Sequence, residues 1–350
     1  MNICIDCRYL GQSGIGTYCQ NLLNAFVTNK NHRFVIIVNK SLPEFDKLDN
    51  VVLQYCNIKP FSIKEFFCMN WGMVNRCDVF ISPYFNISLG IKIPLYITIH
   101  DMLFMDNPNI VNKLGYYYRK LYLKLAIKKT KSIFTVSEFS KQRIMYHFGN
   151  TKPINVVCNV VSEKIKHIPT IYCDKEDYFI FVGNVKSHKG LITLLKAFRL
   201  AKKDGLTSKL KIVGETDSFR TKDKKISAMI GKINDVEFTG RVSDETLIDL
   251  VRKAKALVQP SLYEGFGIPP MEALYLGTNA IISDIDVFKE IYINYPVTYF
   301  KVEDFLDLKE KLLEFKNIDI DIEKVRNMIN ERFSMKRTIE IMTNELCKHK

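Results

Sequence analysis

No run of 18 consecutive apolar residues occurs in the 350-residue chain, so no helix that spans a membrane is expected. Asp6 and Arg8 interrupt the first ten residues, which removes the basic-then-apolar pattern of a secretory leader and leads to the expectation of a cytoplasmic chain. Low-complexity tracts and solenoid-type repeats are also missing. The nine cysteines are odd in number and irregularly spaced, and Cys4-x-x-Cys7 has no second pair at zinc-site spacing. Reduced, buried thiols are therefore expected rather than a metal site or a disulfide framework. Acidic residues are short: 38 Asp and Glu face 51 Lys and Arg, a net charge of +13 that predicts attraction to anions. No zinc-finger spacing, aromatic RNA-binding motif or basic zipper accompanies that charge, so no nucleic-acid partner is expected, and acidic phospholipid and phosphorylated small molecules rank ahead.

What is present is globular. A 47% hydrophobic composition over 350 residues is too long for one core and suits two domains. Short apolar runs at 2–5, 34–38, 51–55, 79–82, 95–99, 132–136 and 154–157 alternate with helix-like segments, including 16–29 and 140–148. A second series follows at 178–182, 210–213, 236–238, 256–259, 280–283 and 298–300. This alternation predicts an α/β protein with two doubly wound parallel sheets. Between them, periodicity fades over 163–175. The densest basic stretch, 113–131, sets Leu114, Tyr118, Leu121 and Leu125 at helical spacing among Arg119, Lys120, Lys124, Lys128 and Lys129. It reads as an amphipathic helix with a basic face, either a solvated surface or a peripheral contact with anionic membrane.

The most informative run is Glu264-Gly265-Phe266-Gly267-Ile268-Pro269-Pro270-Met271-Glu272. Its glycines allow close backbone approach, its prolines suit a helix's first turn, and the free amides there favour an anionic or oxygen-rich ligand. Glu264 and Glu272 add acceptors for hydroxyls, with Glu272 expected in the first helical turn. A nucleotide sugar offers both chemistries.

The run resembles the E-x7-E segment of the retaining glycosyltransferases of family 4, enzymes of the GT-B fold. Supporting blocks stand in the family's order: Asp6-Cys7-Arg8 with Gly14-Ile15-Gly16-Thr17-Tyr18, His100-Asp101, Val136-Ser137-Glu138, Gly183-Asn184 with His188-Lys189-Gly190, and Thr239-Gly240-Arg241. The resemblance implies two Rossmann-like domains facing across a cleft, with an acceptor domain at 1–168, a donor domain at 169–334 and a helix at 335–350 crossing back to the first.

It also implies roles. Glu264 would hold hydroxyls of the donor sugar beside the amides of Phe266 and Gly267, and Glu272 would hold the ribose. Lys189 would stabilise the departing pyrophosphate, with Lys186 or Arg241 as a second cation and Gly183 in the same block. Gly14 and Gly16, in the turn between the first strand and helix, would approach phosphates on the acceptor side. His100 would shape the reaction centre. Asp284-Ile285-Asp286 spells a metal-binding D-x-D but follows a strand where relatives carry Ser-Asp-x-Pro, so no metal and no other cofactor is expected. The implied reaction is retaining hexosyl transfer, from GDP-mannose by the mannosyltransferase-like subgroup, to a glycan or lipid-linked glycan at the inner face of the plasma membrane. A UDP-sugar donor, a nucleotide-sugar epimerase and a nucleic-acid-binding protein are the alternatives.

Overall fold

A computed structural model describes residues 1–11, 13–68, 71–170, 173–214 and 233–348. Each of the thirteen apolar runs forms a strand. In the first unit these are β1 (Asn2–Asp6), β2 (Arg33–Val38), β3 (Val51–Tyr55), β4 (Val79–Ser82), β5 (Leu95–Ile99), β6 (Ser132–Thr135) and β7 (Ile154–Val156). The second unit has β8 (Tyr178–Val182), β9 (Lys209–Val213), β10 (Val236–Gly240), β11 (Ala256–Gln259), β12 (Asn279–Ser283) and β13 (Val297–Phe300). All pairings are parallel, in the orders β3-β2-β1-β4-β5-β6-β7 and β10-β9-β8-β11-β12-β13. Both are doubly wound, with the strand order reversing between β1 and β4 and between β8 and β11.

Strands covered on both faces need apolar residues at every position, which is why these runs are continuous rather than alternating. Along β1 the two-residue period sends Ile3 and Ile5 to one core with Leu22 and Phe26, and Cys4 to the opposite core with Phe80 and Ile97. In the second unit Phe179 and Phe181 of β8 pack with Leu194 and Phe198 of the helix Leu191–Lys203.

The chain divides into Met1–Val160 with Phe333–Lys350, and Val161–Arg332. The first break falls eight residues before the expected 168, because the turn Glu163–Lys166 buries Ile165 and Arg326 Nη1 donates to the Ile168 carbonyl, both within the second unit. The last helix, Met335–Cys347, joins the first unit and seats Met342 and Leu346, both fully buried, in the core with Leu22 and Phe26. Burial of each is worth about 1.5–3 kcal/mol.

Three expectations need correction. The first helix spans Ser13–Val27, so Gly14 and Gly16 lie in its first turn and not in a preceding loop. The helix Lys113–Lys129 buries Tyr122, Leu123, Ala126 and Ile127, because Tyr122 is drawn inward to hydrogen-bond Glu65 and the Ile87 carbonyl. Leu114 and Leu121 of the expected apolar stripe stay outside, 82% and 58% exposed. Finally, Glu272 is not in a first helical turn: the helix Ile268–Tyr275 starts after Gly267, with its prolines in that turn and Glu272 beyond it.

Candidate active site

In a doubly wound sheet, ligands bind outside the carboxyl ends of the strands where the order reverses. In the second sheet those ends are β8, followed by Gly183 to Lys189, and β11, followed by Pro260 to Gly267. Lys189 closes a single turn, Ser187–Lys189, capped by Gly190 in the left-handed region at φ 68°. A Cβ on Gly190 would stand 1.8 Å from the Pro260 carbonyl oxygen, so glycine is required for the two loops to touch. The Leu262 amide donates to the His188 carbonyl at 2.7 Å and stitches them together.

That contact delivers Lys189 to Glu264. Lys189 Nζ donates to Glu264 Oε1 at 2.6 Å, and Ser261 Oγ donates to the same oxygen at 2.7 Å. Gln259 Nε2 donates to Ser261 Oγ at 2.9 Å, which points the hydroxyl proton toward Glu264. Ser283 Oγ in turn donates to the Ser261 carbonyl at 2.5 Å. Oε1 is thus taken up by protein donors, whereas no described residue donates to Oε2. Both side chains are largely covered, 19% exposed for Lys189 and 10% for Glu264, which strengthens their attraction over that of a surface pair. His188 adds no cation at neutral pH: burial and the neighbouring Lys189 hold its imidazole down at about 4.

Gly267 caps the next helix at φ 90°, and a Cβ there would lie 2.3 Å from Cε1 of Phe288. Its carbonyl accepts from the buried Tyr292 hydroxyl, and Phe266 is 2% exposed, so the turn carrying Gly265 is fixed from below. Glu272 accepts the Ser162 amide, and burial pushes its carboxyl up to about 7. Gly183 donates its amide to the Val213 carbonyl at 2.9 Å; a Cβ on Gly214 would come within 2.1 Å of the Gly183 carbonyl oxygen, another place where two loops meet backbone to backbone. Lys186 is exposed beside His188, and Arg241 is exposed at the carboxyl end of β10, two strands from β8.

In the first unit the expected residues gather at the β1–β4 reversal. Gly14 faces open space, while a Cβ on Gly16 would be 2.6 Å from the Tyr9 carbonyl oxygen, so Gly16 lets the helix Ser13–Val27 approach the loop after β1. His100 is 9% exposed, its Nε2 donates to the Pro83 carbonyl at 2.8 Å, and burial lowers its pKa to about 4. It is a neutral, oriented imidazole, with Tyr18 edge-on at 4.8 Å. Asp101 Oδ1 accepts the Leu103 amide at 2.9 Å. Beneath them Arg8, with no exposed surface, donates to Asp6 at 2.8 and 2.5 Å, to Glu65 at 2.5 Å and to the Ile58 carbonyl at 2.7 Å. Two carboxylates share one guanidinium here, and burial raises Glu65 above its ordinary value while Arg8 and Asn86 hold Asp6 below its own.

The D-x-D residues serve the fold: Asp284 Oδ1 accepts the Val302 amide at 2.8 Å, and Asp286 opens the helix Asp286–Tyr292. Among the described residues no three His, Cys, Asp or Glu side chains cluster as metal ligands. Gln259 and Ser261 were missed as site residues. Their signal was a polar residue ending the buried run Ala256–Gln259 and a hydroxyl three positions before Glu264.

Residues 163–333 match the model of glycosyl transferases group 1. The chain is 34% identical over 200 residues to the O-antigen chain mannosyltransferase RfbU of Salmonella typhimurium, a match covering 57% of this chain and 54% of RfbU. It is 23% identical over 209 residues to the O-antigen chain mannosyltransferase B of Escherichia coli, covering 55% of this chain and 54% of that protein. The chain thus spans about half the length of each. The fold is that of Anabaena HepE, solved with UDP and glucose: the TM-score is 0.76 at 13% identity, covering 99% of this chain and 100% of HepE. Through residues 163–333 the chain belongs to the glycosyl transferases group 1 family, carried on the GT-B fold.

Proposed function

We propose that this chain transfers a hexose from a nucleotide diphosphate sugar to an acceptor hydroxyl with retention at the anomeric carbon. The observation that carries this reading is the meeting of Lys189 and Glu264 at the β8–β11 reversal, 2.6 Å apart, with one Glu264 oxygen left for a ligand. Lys189 offers a positive charge where the leaving diphosphate gains negative charge, and a charge placed in advance in a covered site stabilises that transition state. Glu264 Oε2 accepts from sugar hydroxyls, and the amides of Phe266 and Gly267 stand next to it. Glu272 accepts from the ribose.

The bond from the anomeric carbon to the phosphate oxygen breaks as the acceptor oxygen bonds on the same face. The acceptor proton passes to the departing phosphate oxygen, and His100, neutral and fixed, shapes the centre without taking that proton. Lys189 and the helix amides do what a divalent cation does elsewhere, so transfer proceeds without metal.

Mannose from GDP-mannose is the favoured donor, on the likeness to two O-antigen mannosyltransferases. UDP-glucose is the second reading, motivated by the UDP and glucose found in HepE. The acceptor is a lipid-linked or cell-surface glycan at the inner face of the plasma membrane. Supporting this, the helix Lys113–Lys129 presents Leu114, Tyr117 and Leu121, exposed by 82%, 66% and 58%, among exposed lysines. Ile63 and Phe67 of the helix Ile63–Cys68 are exposed by 71% and 65%, and Tyr118 Oη ties the two segments through the Phe61 carbonyl at 3.0 Å. Apolar bodies among basic heads suit a peripheral contact with anionic lipid. No described helix is long and apolar enough to cross a membrane.

The test is transfer from GDP-mannose, UDP-glucose and other UDP-sugars to glycolipid extracts, with the anomeric configuration of the product read by NMR. Retained configuration from GDP-mannose, unchanged by EDTA, is expected. An inverted product, or activity lost to EDTA and restored by Mg²⁺, contradicts the mechanism. A UDP-sugar epimerised without acceptor replaces it with the epimerase alternative.

A further inference from the structure

The first sheet has its own reversal, between β1 and β4, and two aromatic residues stand at its carboxyl edge: Tyr9, three residues after β1, and Tyr84, two after β4. We propose that Tyr9 and Tyr84 form a platform on which a pyranose ring of the acceptor glycan stacks. This rests on the transferase reading and adds a subsite to it.

Both rings are half-buried and pack edge to face, centroids 5.5 Å apart, which leaves surface of each uncovered. Neither phenol is hydrogen-bonded to a described residue. A phenol that is partly desolvated and unpaired is a donor in waiting, because a covered polar group without a partner costs free energy that a ligand hydroxyl recovers. Burial pushes both phenols well above their ordinary range, so each keeps its proton at neutral pH.

The platform is rigid. Tyr9 follows Arg8, whose guanidinium is pinned by Asp6, Glu65 and the Ile58 carbonyl, and the Tyr9 carbonyl is the group against which Gly16 allows the first helix to close. Tyr84 stacks on His100 at 6.1 Å with 29° between the rings, and the Pro83 carbonyl just before it receives the His100 Nε2 proton. Phe61 braces Tyr84 edge-on from another side at 5.1 Å. Pre-set aromatic surface with a few polar groups is what a small polar ligand with one apolar face selects. A pyranose has that form: axial C–H bonds on a face and hydroxyls around the rim.

Saturation-transfer NMR with methyl α-mannopyranoside, methyl α-glucopyranoside and methyl N-acetyl-α-glucosaminide tests this, at saturating GDP or UDP, on wild type, Tyr9→Ala, Tyr84→Ala and Tyr84→Phe. One glycoside is expected to bind wild type through its ring protons, at least fivefold more weakly to either Ala variant and less than fivefold more weakly to Tyr84→Phe, which keeps the ring. The nucleotide thermal shift should stay unchanged in all three variants, which also reports that they fold. Equal glycoside binding by wild type and both Ala variants overturns the platform, as does binding of no glycoside to wild type. Loss of the nucleotide shift in folded Ala variants also overturns it, by assigning the rings to the nucleobase. A wild type that responds to no nucleotide counts against the donor reading instead, and the glycoside signals are read separately.

Discussion

Lys189 Nζ lies 2.6 Å from Glu264 Oε1, joining the loop after β8 to the loop after β11 across 75 positions of sequence. In the ligand-free protein each neutralises the other, so an incoming diphosphate must take Lys189 over from Glu264. The pair is therefore both a structural tie and the proposed seat of chemistry, and these roles separate in the right variants. Lys189→Ala should lower turnover by about 10²–10³-fold, the scale for removing one donor to a developing anion. It should also cost roughly 1–3 kcal/mol of stability, as for a lost hydrogen bond to a charged group. Lys189→Ala with Glu264→Gln should recover much of the stability and none of the turnover. Recovered turnover in that double variant would show that the lysine acts only through the fold.

Gly14 and Gly16 make a paired test of what the first block does. Gly14→Ala enters open space within a helix and should leave stability unchanged or raise it by about 0.4–1 kcal/mol. Gly16→Ala meets the Tyr9 carbonyl oxygen at 2.6 Å and should cost roughly 1–3 kcal/mol. Urea denaturation of both variants decides this, and equal stabilities would mean that the helix does not need its close approach to Tyr9.

Glu272 predicts a pH signature. Its carboxyl is raised from 4.5 to about 7, so between those values the folded state holds a proton that the unfolded state has lost. The contribution is full below about 4.5 and is lost as pH rises through 7, and stability falls along that interval. Glu272→Gln, which mimics the protonated form, should match wild type at pH 4.5 and exceed it by about 1–3 kcal/mol at pH 8. Parallel wild-type and variant curves from pH 4.5 to 8 would remove Glu272 as the source of the slope.

The exposed face of Lys113–Lys129 gives a test that leaves the core untouched. Leu114→Ser with Leu121→Ser should reduce co-sedimentation with phosphatidylglycerol vesicles by about tenfold, on the hydrophobic transfer scale for two leucines. Added salt should weaken wild-type binding further, since each basic residue near the surface contributes about 1 kcal/mol that screening removes. Binding that responds to neither change would place the membrane contact elsewhere or nowhere.

Much of this was legible in the sequence, because both sheets are covered on two faces and write their strands as unbroken apolar runs. The motif from Glu264 to Glu272 was equally plain, since its glycines and prolines answer local backbone demands such as the left-handed φ of Gly267. What escaped depends on contacts distant in sequence. That Gly190 exists to touch Pro260, or that Gln259 orients Ser261 toward Glu264, follows only once β8 and β11 are neighbours. The helix at 113–129 misled for the same reason: Leu114 and Leu121 have the right period for burial, but the tie from Tyr122 to Glu65 selects another face.

Nucleotide recognition by the Glu264–Lys189 site is the central claim, and a thermal-shift panel of GDP, UDP, ADP, GDP-mannose and UDP-sugars on wild type and Glu264→Ala tests it most directly. At about 100 times its dissociation constant, a ligand that binds only the folded state adds about 2.7 kcal/mol, enough to raise the melting temperature by several degrees. The account predicts a selective response to GDP, a larger one to GDP-mannose, and loss of that added increment in Glu264→Ala. No response of the wild type to any nucleotide, or an increment from the sugar that survives Glu264→Ala, would contradict it.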